Sequence, residues 1–237
     1  MTIPNTEDLL YRLPYTISAE DQQTLIDYAY TNADWDRCAP SLFKVVETDP
    51  FCFGRVQMRR PTVESLTLIP NHNTMTEHQI AFRYRLHPEV EWEWVDNPMT
   101  PVVQKLVAPI EHLYQKITRI ILLVQATNAG IAAHTDTFTN PYASRDILAL
   151  QQTANHNMVL KWPLTETPGD NGRPYLYINE KPYEYDVQNN LFVINEIDIM
   201  HGAFQSGVRR GVIFLDGILN YKNLLKETRL PATVFDS

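Results

Sequence analysis

Cysteine is nearly absent from this chain. The only two, Cys38 and Cys52, show no Cys-x-x-Cys spacing, which excludes a zinc ribbon or a disulfide framework as the device that organises the fold. Positive charge is scarce as well: 20 Lys and Arg stand against 28 Asp and Glu, a formal net charge of −8. The basic footprint of a general nucleic-acid binder is therefore missing, although a local basic groove stays compatible with this balance. No apolar run approaches the roughly 20 residues that cross a bilayer as a helix. The opening stretch MTIPNTEDLLYRLPYT has neither the basic start nor the apolar centre of a secretory signal. Gly/Ser linkers, internal repeats and low-complexity tracts are lacking too. These absences lead to the expectation of one globular domain over residues 1–237, cytoplasmic, with no membrane partner and with nucleic acid disfavoured.

What the chain does have is 44% apolar residues, enough for a substantial core. ISAEDQQTLIDYAYTNADW reads as a helix, with Ser18 as N-cap and Leu25, Tyr28 and Ala29 at helical spacing. Short β-like runs follow: LFKVVE, ESLTLIP, IAFRYRL and EWEWV. NPMTPVVQKLVAPIEHLYQKI then reads as a helix that Pro109 kinks or breaks. From Thr118 onward the pattern changes. RIILLVQAT, MVLKWPL, PYLYIN, EYDVQ, NLFVINE and RRGVIFLDGIL are strand-like, and Gly, Pro, Asn and Asp separate them. Short strands with turn signals at this spacing predict a β-sandwich, jelly roll or barrel. The expected organisation is a helical and β buttress over 1–117, a β core over 118–220 and a C-terminal extension over 221–237.

One stretch of that β region carries chemistry. In GIAAHTDTF, His134 and Asp136 follow an apolar run and lie two residues apart. In extended chain such residues point to the same side, so an imidazole nitrogen and a carboxylate oxygen can be offered to one point. His201, at the end of NLFVINEIDIM, is the best third donor. Two histidines and one carboxylate, with the remaining positions open, suit non-haem Fe(II) oxygen chemistry. The pair alone is a weak signal, because chance supplies about 0.4 His-x-Asp pairs in a chain of this composition. A hydrogen-bonded surface pair at a turn is the competing reading of His134 and Asp136.

Two arginines strengthen the iron reading. An O2-activating Fe(II) site needs electrons beyond those of its substrate, and a 2-oxo acid can supply them. The far carboxylate of such a cosubstrate needs a permanently charged partner, which arginine provides as a planar fork. Arg209 and Arg210 are adjacent, so at most one of them faces inward. Both are followed by apolar stripes, and parity leaves the choice open. Gln125 and Thr127 are expected to share a face and are candidates for the cosubstrate pocket, with a solvent-facing side as the alternative. Lys161 could bind a carboxylate or face outward. Trp92 and Trp94 read as half-buried sheet, with substrate stacking as the alternative. His72, His78, His87 and His112 have no partnered spacing, and His156 reads as a loop residue.

The pattern His-Thr-Asp, then His201, then Arg210 ahead of GVIFLD resembles the 2-oxoglutarate and Fe(II)-dependent oxygenases, and within them is most similar to the aspartyl/asparaginyl β-hydroxylase branch. The resemblance spans roughly residues 118–220. It implies a double-stranded β-helix, a jelly roll of the cupin-like kind, inside an α+β chain that is mainly β. It implies His134, Asp136 and His201 as metal ligands and catalytic residues, Arg210 as the cosubstrate anchor, and Fe(II), 2-oxoglutarate and O2 as the chemical partners. The implied reaction is hydroxylation of an amino-acid side chain, protein-bound or free, with release of succinate and CO2. Asp136 fills the position that halogenases of this superfamily leave for halide, so hydroxylation is expected over halogenation. The branch's usual polar residue after the second histidine has Gln205 as its nearest counterpart. Residues 137–157 look like an insertion that could serve as a substrate lid or as a solvated excursion. The rivals are a non-catalytic β-helix binding module and a cupin-like metalloenzyme that does not use 2-oxoglutarate. The substrate, a small molecule or a peptide, is left open.

Overall fold

A computed structural model describes residues 10–37, 43–44, 51–85, 87, 89–127, 129–134, 158–166, 176–178, 181–183, 190–195, 200–203 and 207–231. In chain order these form β1 (Leu10–Thr16), α1 (Ala19–Asn32), β2 (Asp34–Arg37), β3 (Phe43–Lys44), β4 (Phe51–Gln57), β5 (Arg59–Pro61), α2 (Val63–Leu66), α3 (Glu77–Tyr84), β6 (Trp92–Trp94) and α4 (Thr100–Val107). There follow β7 (Tyr114–Gln125), β8 (Gly130–His134), β9 (Met158–Thr165), β10 (Leu176–Ile178), β11 (Lys181–Tyr183), β12 (Asn190–Asn195), β13 (His201–Ala203), β14 (Arg210–Leu219) and α5 (Tyr221–Leu224).

The eight strands from β7 to β14 are shared between two sheets. The larger sheet contains the order β12-β9-β14-β7 and the smaller one the order β11-β10-β13-β8. The strand pairs are antiparallel. This is the strand order of a double-stranded β-helix, an eight-stranded jelly roll. The segment before it does more than buttress. β1 extends the larger sheet beside β12, β4 and β2 extend it beyond β7, and β3 adds to the smaller sheet.

One face of the larger sheet is closed by helices. α1 starts at Ser18, whose Oγ accepts from the Asp21 amide at 3.0 Å, and it buries Leu25, Ile26 and Ala29. α4 buries Val103, Leu106 and Val107. These meet Ile120, Leu122 and Val124 of β7, Trp162 and Leu164 of β9, and Ile213 and Leu215 of β14. Burying each such large side chain contributes about 1.5–3 kcal/mol. Pro109 tightens the chain after α4 into a 3-10 turn over Ala108–Leu113. β7 then begins at Tyr114, so YQKI belongs to the β core and not to the preceding helix.

Two β-like runs of the sequence are not strands. ESLTLIP begins as the short α2 and continues as turn, and IAFRYRL lies largely in α3. The competing signal is local: Thr76 and Gln79 form a reciprocal capping box that starts α3, and Thr62 caps α2. In β14, Ile213 and Leu215 face the helices, so Arg210, Val212, Phe214 and Asp216 lie on the opposite face, toward the smaller sheet. Among the described residues, no helix is long and apolar enough to cross a membrane.

Candidate active site

The register of the larger sheet sets a polar row on the face away from the helices. Thr165 of β9, Arg210 of β14, Gln125 of β7 and Phe53 of β4 are successive cross-strand partners. Arg210 is 2% exposed. Its Nε donates to Gln125 Oε1 at 3.0 Å and its Nη2 to the Ala129 carbonyl at 3.4 Å. Gln125 Nε2 donates to that same carbonyl, which fixes the amide with its oxygen toward the arginine. Thr165 is buried beside them, and its Oγ1 has no hydrogen-bond partner among the described residues. A hydroxyl left in that state is costly, and a ligand oxygen at this spot would relieve it.

The backbone under this row is braced from outside. Tyr30 of α1 reaches across, and its hydroxyl accepts the Arg210 amide at 3.1 Å and donates to the Gln125 carbonyl. Burial pushes the Tyr30 pKa up to about 12, so the phenol keeps its proton and its role as donor. Gly211 brings β14 close to β7 next to the arginine: a Cβ there would run into the Leu123 carbonyl.

Arg209 points the other way. Its Nη2 lies 2.6 Å from Asp27 Oδ1 of α1 and 2.6 Å from Glu166 Oε1, and its guanidinium sits 5.4 Å from the centre of the Tyr30 ring. The hydrogen bonds that Arg209 donates to Glu166 and Asp27 hold both carboxylates below their ordinary range and raise the arginine. The structure therefore separates the two adjacent arginines, one into the sandwich and one to the helix side.

His201 opens β13 and is buried. Its Cα partner across the β13–β8 ladder is His134, and the register shifts before Ala203 meets Ile131. Such irregularities re-aim side chains and cluster near active sites. The side chain of His134, and all of Asp136, Gln205, His156 and residues 137–157, lie outside the described residues. Among the described residues, no group of three or more His, Cys, Asp or Glu gathers as a metal site. Thr127 is not on the strand with Gln125: β7 ends at Gln125, and Thr127 sits half-buried in the turn that follows.

Two further rows floor the space beyond Arg210. One runs Arg55–Leu123–Val212–Pro163 and the next Gln57–Ile121–Phe214–Lys161–Phe192. Lys161 thus shares the face of Arg210, with its Nζ 4.0 Å from the centre of the Phe214 ring. Past these rows β14 and β7 slip register, and Arg119 Nε meets Asp216 Oδ2 at 2.6 Å while Arg85, at the end of α3, brings its Nε to 3.5 Å from Oδ1. Trp92 and Trp94 lie in the two-stranded β5–β6 sheet, and Arg59 stands 5.3 Å from the Trp94 ring centre, so they are sheet residues as expected. Thr165, Tyr30 and Arg55 were not singled out in the sequence. Thr165 had one usable signal, as the polar end of the apolar run MVLKWPLT.

No protein-family model matches the chain, and no curated protein matches it. Among solved structures it is similar to a Pseudomonas putida prolyl-4-hydroxylase, at 10% identity and a TM-score of 0.42, over 88% of this chain and 92% of that one. It is also similar to OsALKBH1, at 10% identity and a TM-score of 0.41, over 91% of this chain and all of that one. These likenesses are too distant to add to the strand order, and neither supports the aspartyl/asparaginyl branch in particular. The fold rests on that strand order, which is that of a double-stranded β-helix.

Proposed function

We propose that the protein is an Fe(II)- and 2-oxoglutarate-dependent dioxygenase that hydroxylates an amino-acid side chain, protein-bound or free, with release of succinate and CO2, akin to the aspartyl/asparaginyl β-hydroxylases. The observation that carries this reading is Arg210: a guanidinium 2% exposed, on the inner face of a double-stranded β-helix, beside a buried hydroxyl on the neighbouring strand, Thr165 Oγ1, that has no partner among the described residues. That pair fits the far carboxylate of 2-oxoglutarate, one group supplying charge and the other a hydrogen bond. The metal side of the reading is supported by the pairing of the His201 and His134 positions on adjacent strands. With Asp136 two residues on, they would hold Fe(II) through two imidazole nitrogens and one carboxylate oxygen.

Iron carrying a bound 2-oxo acid supplies O2-dependent oxidation of an unreactive C–H bond. The protein's residues bind, orient and exclude water. Arg210 fixes one end of the cosubstrate with a charge that no physiological pH removes. Gln125 holds the guanidinium in its plane, Tyr30 locks the two strands that carry them, and Val212 and Ile121 present a dry floor. Asp136, as a third ligand, would fill the coordination position that halide would need, which favours hydroxyl transfer.

The test is spectroscopic. Fe(II) added anaerobically should give a weak visible charge-transfer band only when 2-oxoglutarate is present. A band that does not depend on 2-oxoglutarate would move the protein to the cupin-like metalloenzymes, and the absence of any band would leave a binding module.

A further inference from the structure

Helix α1 crosses behind the row that holds Arg210. Gln22, Ile26 and Tyr30 follow one another at spacings of four, so they form one stripe of the helix, and that stripe is turned to the sheet. Its two ends are polar. At one end Gln22, 2% exposed, donates from Nε2 to the Thr165 carbonyl at 2.5 Å. At the other, the Tyr30 hydroxyl takes the Gln125 carbonyl and the Arg210 amide. One stripe of one helix therefore holds the backbone of Thr165, Arg210 and Gln125, the three successive partners of the polar row. The spans agree. The eight residues from Gln22 to Tyr30 rise about 12 Å along the helix, and the two strand spacings from β9 to β7 amount to about 9.5 Å.

Gln22 stands out by its polarity. It shares the buried side of α1 with Leu25, Ile26 and Ala29, and its Oε1 is buried with no hydrogen-bond partner among the described residues. Folding alone would favour an apolar side chain of that size, because an orphaned amide oxygen in the interior is destabilising. What the position gains is the hydrogen bond from Nε2, and that bond falls on the residue of β9 whose buried hydroxyl stands beside Arg210. Threonine is stiff about χ1, so holding its backbone also holds the direction of its Oγ1.

We propose, resting on the oxygenase reading above, that Gln22 is a positioning residue for the cosubstrate pocket. Through the Thr165 backbone it sets where the Thr165 hydroxyl stands relative to the Arg210 guanidinium, and together with Tyr30 it makes α1 the splint of the anion site. Gln22 acts from the helix side of the sheet and does not touch the ligand. The far carboxylate of 2-oxoglutarate needs the charge of Arg210 and the hydroxyl of Thr165 at one place at once, so a shift of either group weakens the pair.

The experiment is calorimetric binding of 2-oxoglutarate, succinate and glutarate to the whole chain, with the urea midpoint measured alongside, for wild type, Gln22→Met and Gln22→Glu. Gln22→Met keeps the volume, removes the orphaned Oε1 and leaves the Thr165 carbonyl unpaired. The two changes offset each other in stability, so the midpoint should stay near that of wild type while dicarboxylate affinity falls about fivefold or more. Gln22→Glu can donate to the carbonyl only while its carboxyl is protonated, and burial keeps that proton on to higher pH than usual. Its affinity should match wild type in acid and approach that of Gln22→Met as pH rises, a profile that general loosening of α1 would not give. Undiminished affinity in Gln22→Met would overturn the proposal and leave the oxygenase reading intact. A lowered midpoint with equal loss of affinity in both variants at every pH would make Gln22 merely structural and also overturn it. If wild type binds succinate or glutarate but not 2-oxoglutarate, and Gln22→Met weakens that binding, the oxygenase reading falls and this one stands. If wild type binds none of the three, the row is not an anion site and both fall.

Discussion

Arg209 and Arg210 are neighbours in sequence and opposites in environment. Arg209 lies on the helix side at the rim of the larger sheet, its side chain 29% exposed, tied to Asp27 and Glu166. Arg210 lies on the inner face, 2% exposed, held by a glutamine and a carbonyl. The difference teaches how a strand assigns roles. Alternation sends one guanidinium into a carboxylate network that ties α1 to the sheet, and the next into a dry interior where its charge can serve a ligand. The two faces of the sheet are likewise unequal: one is a helix-covered apolar core, the other a graded floor with polar and cationic rows.

The comparison can be broken most forcefully from the helix face. Trp162, 1% exposed, fills the core under α1, and its Nε1 donates to the Tyr15 carbonyl at 3.0 Å. Trp162→Ala should cost about 3–5 kcal/mol, read as a lower urea midpoint, because the cavity cannot refill. A loss below about 1 kcal/mol would mean that this face is not the structural one. A smaller effect is expected from Tyr30→Phe, which removes the hydroxyl that joins β7 and β14 beneath Arg210. It should cost about 1–2 kcal/mol in the same assay, since a buried amide and carbonyl lose their shared partner.

The smallest effect belongs to Arg209. Its ion pairs are partly solvated, so Arg209→Ala should lower stability by less than about 1 kcal/mol at neutral pH. The pH dependence has a definite sign. Asp27 and Glu166 have folded-state pKa values below their ordinary ones, so their contribution is complete above the ordinary carboxylate range and fades as pH falls through the lowered values. Wild type and Arg209→Ala should therefore converge in stability as the solution is acidified, and a gap that widens with acid would contradict the pairing.

Much of this was legible in the sequence, and the limits have physical causes. The long apolar runs from RIILLVQAT to RRGVIFLDGIL became β7, β9, β12 and β14, because a buried strand announces itself by continuous β-branched and aromatic residues. Ser18 capped its helix as expected. IAFRYRL misled because a short amphipathic helix with aromatics resembles a strand, and the deciding Thr76–Gln79 box lies just outside the run. The expectation that Gln125 and Thr127 share a face assumed that the strand continues; it stops at Gln125. The choice of Arg210 over Arg209 came from family resemblance, because parity left it open; burial distinguishes the two positions, Arg210 on the inner face and Arg209 on the helix side. Tyr30 could not have been found, since it meets Arg210 across 180 residues of sequence, and Arg55 belongs to a strand that no reading of the sequence had marked.

The central claim is that Arg210 anchors 2-oxoglutarate while Arg209 serves only the scaffold. Titrating 2-oxoglutarate against wild type, Arg210→Ala and Arg209→Ala, with Fe(II) affinity measured alongside, tests it directly. Removing a buried arginine from its carboxylate partner should raise the 2-oxoglutarate requirement about thirtyfold or more at Arg210, with Fe(II) affinity little changed and Arg209→Ala close to wild type. Equal effects at the two positions, or the larger effect at Arg209, would contradict the account.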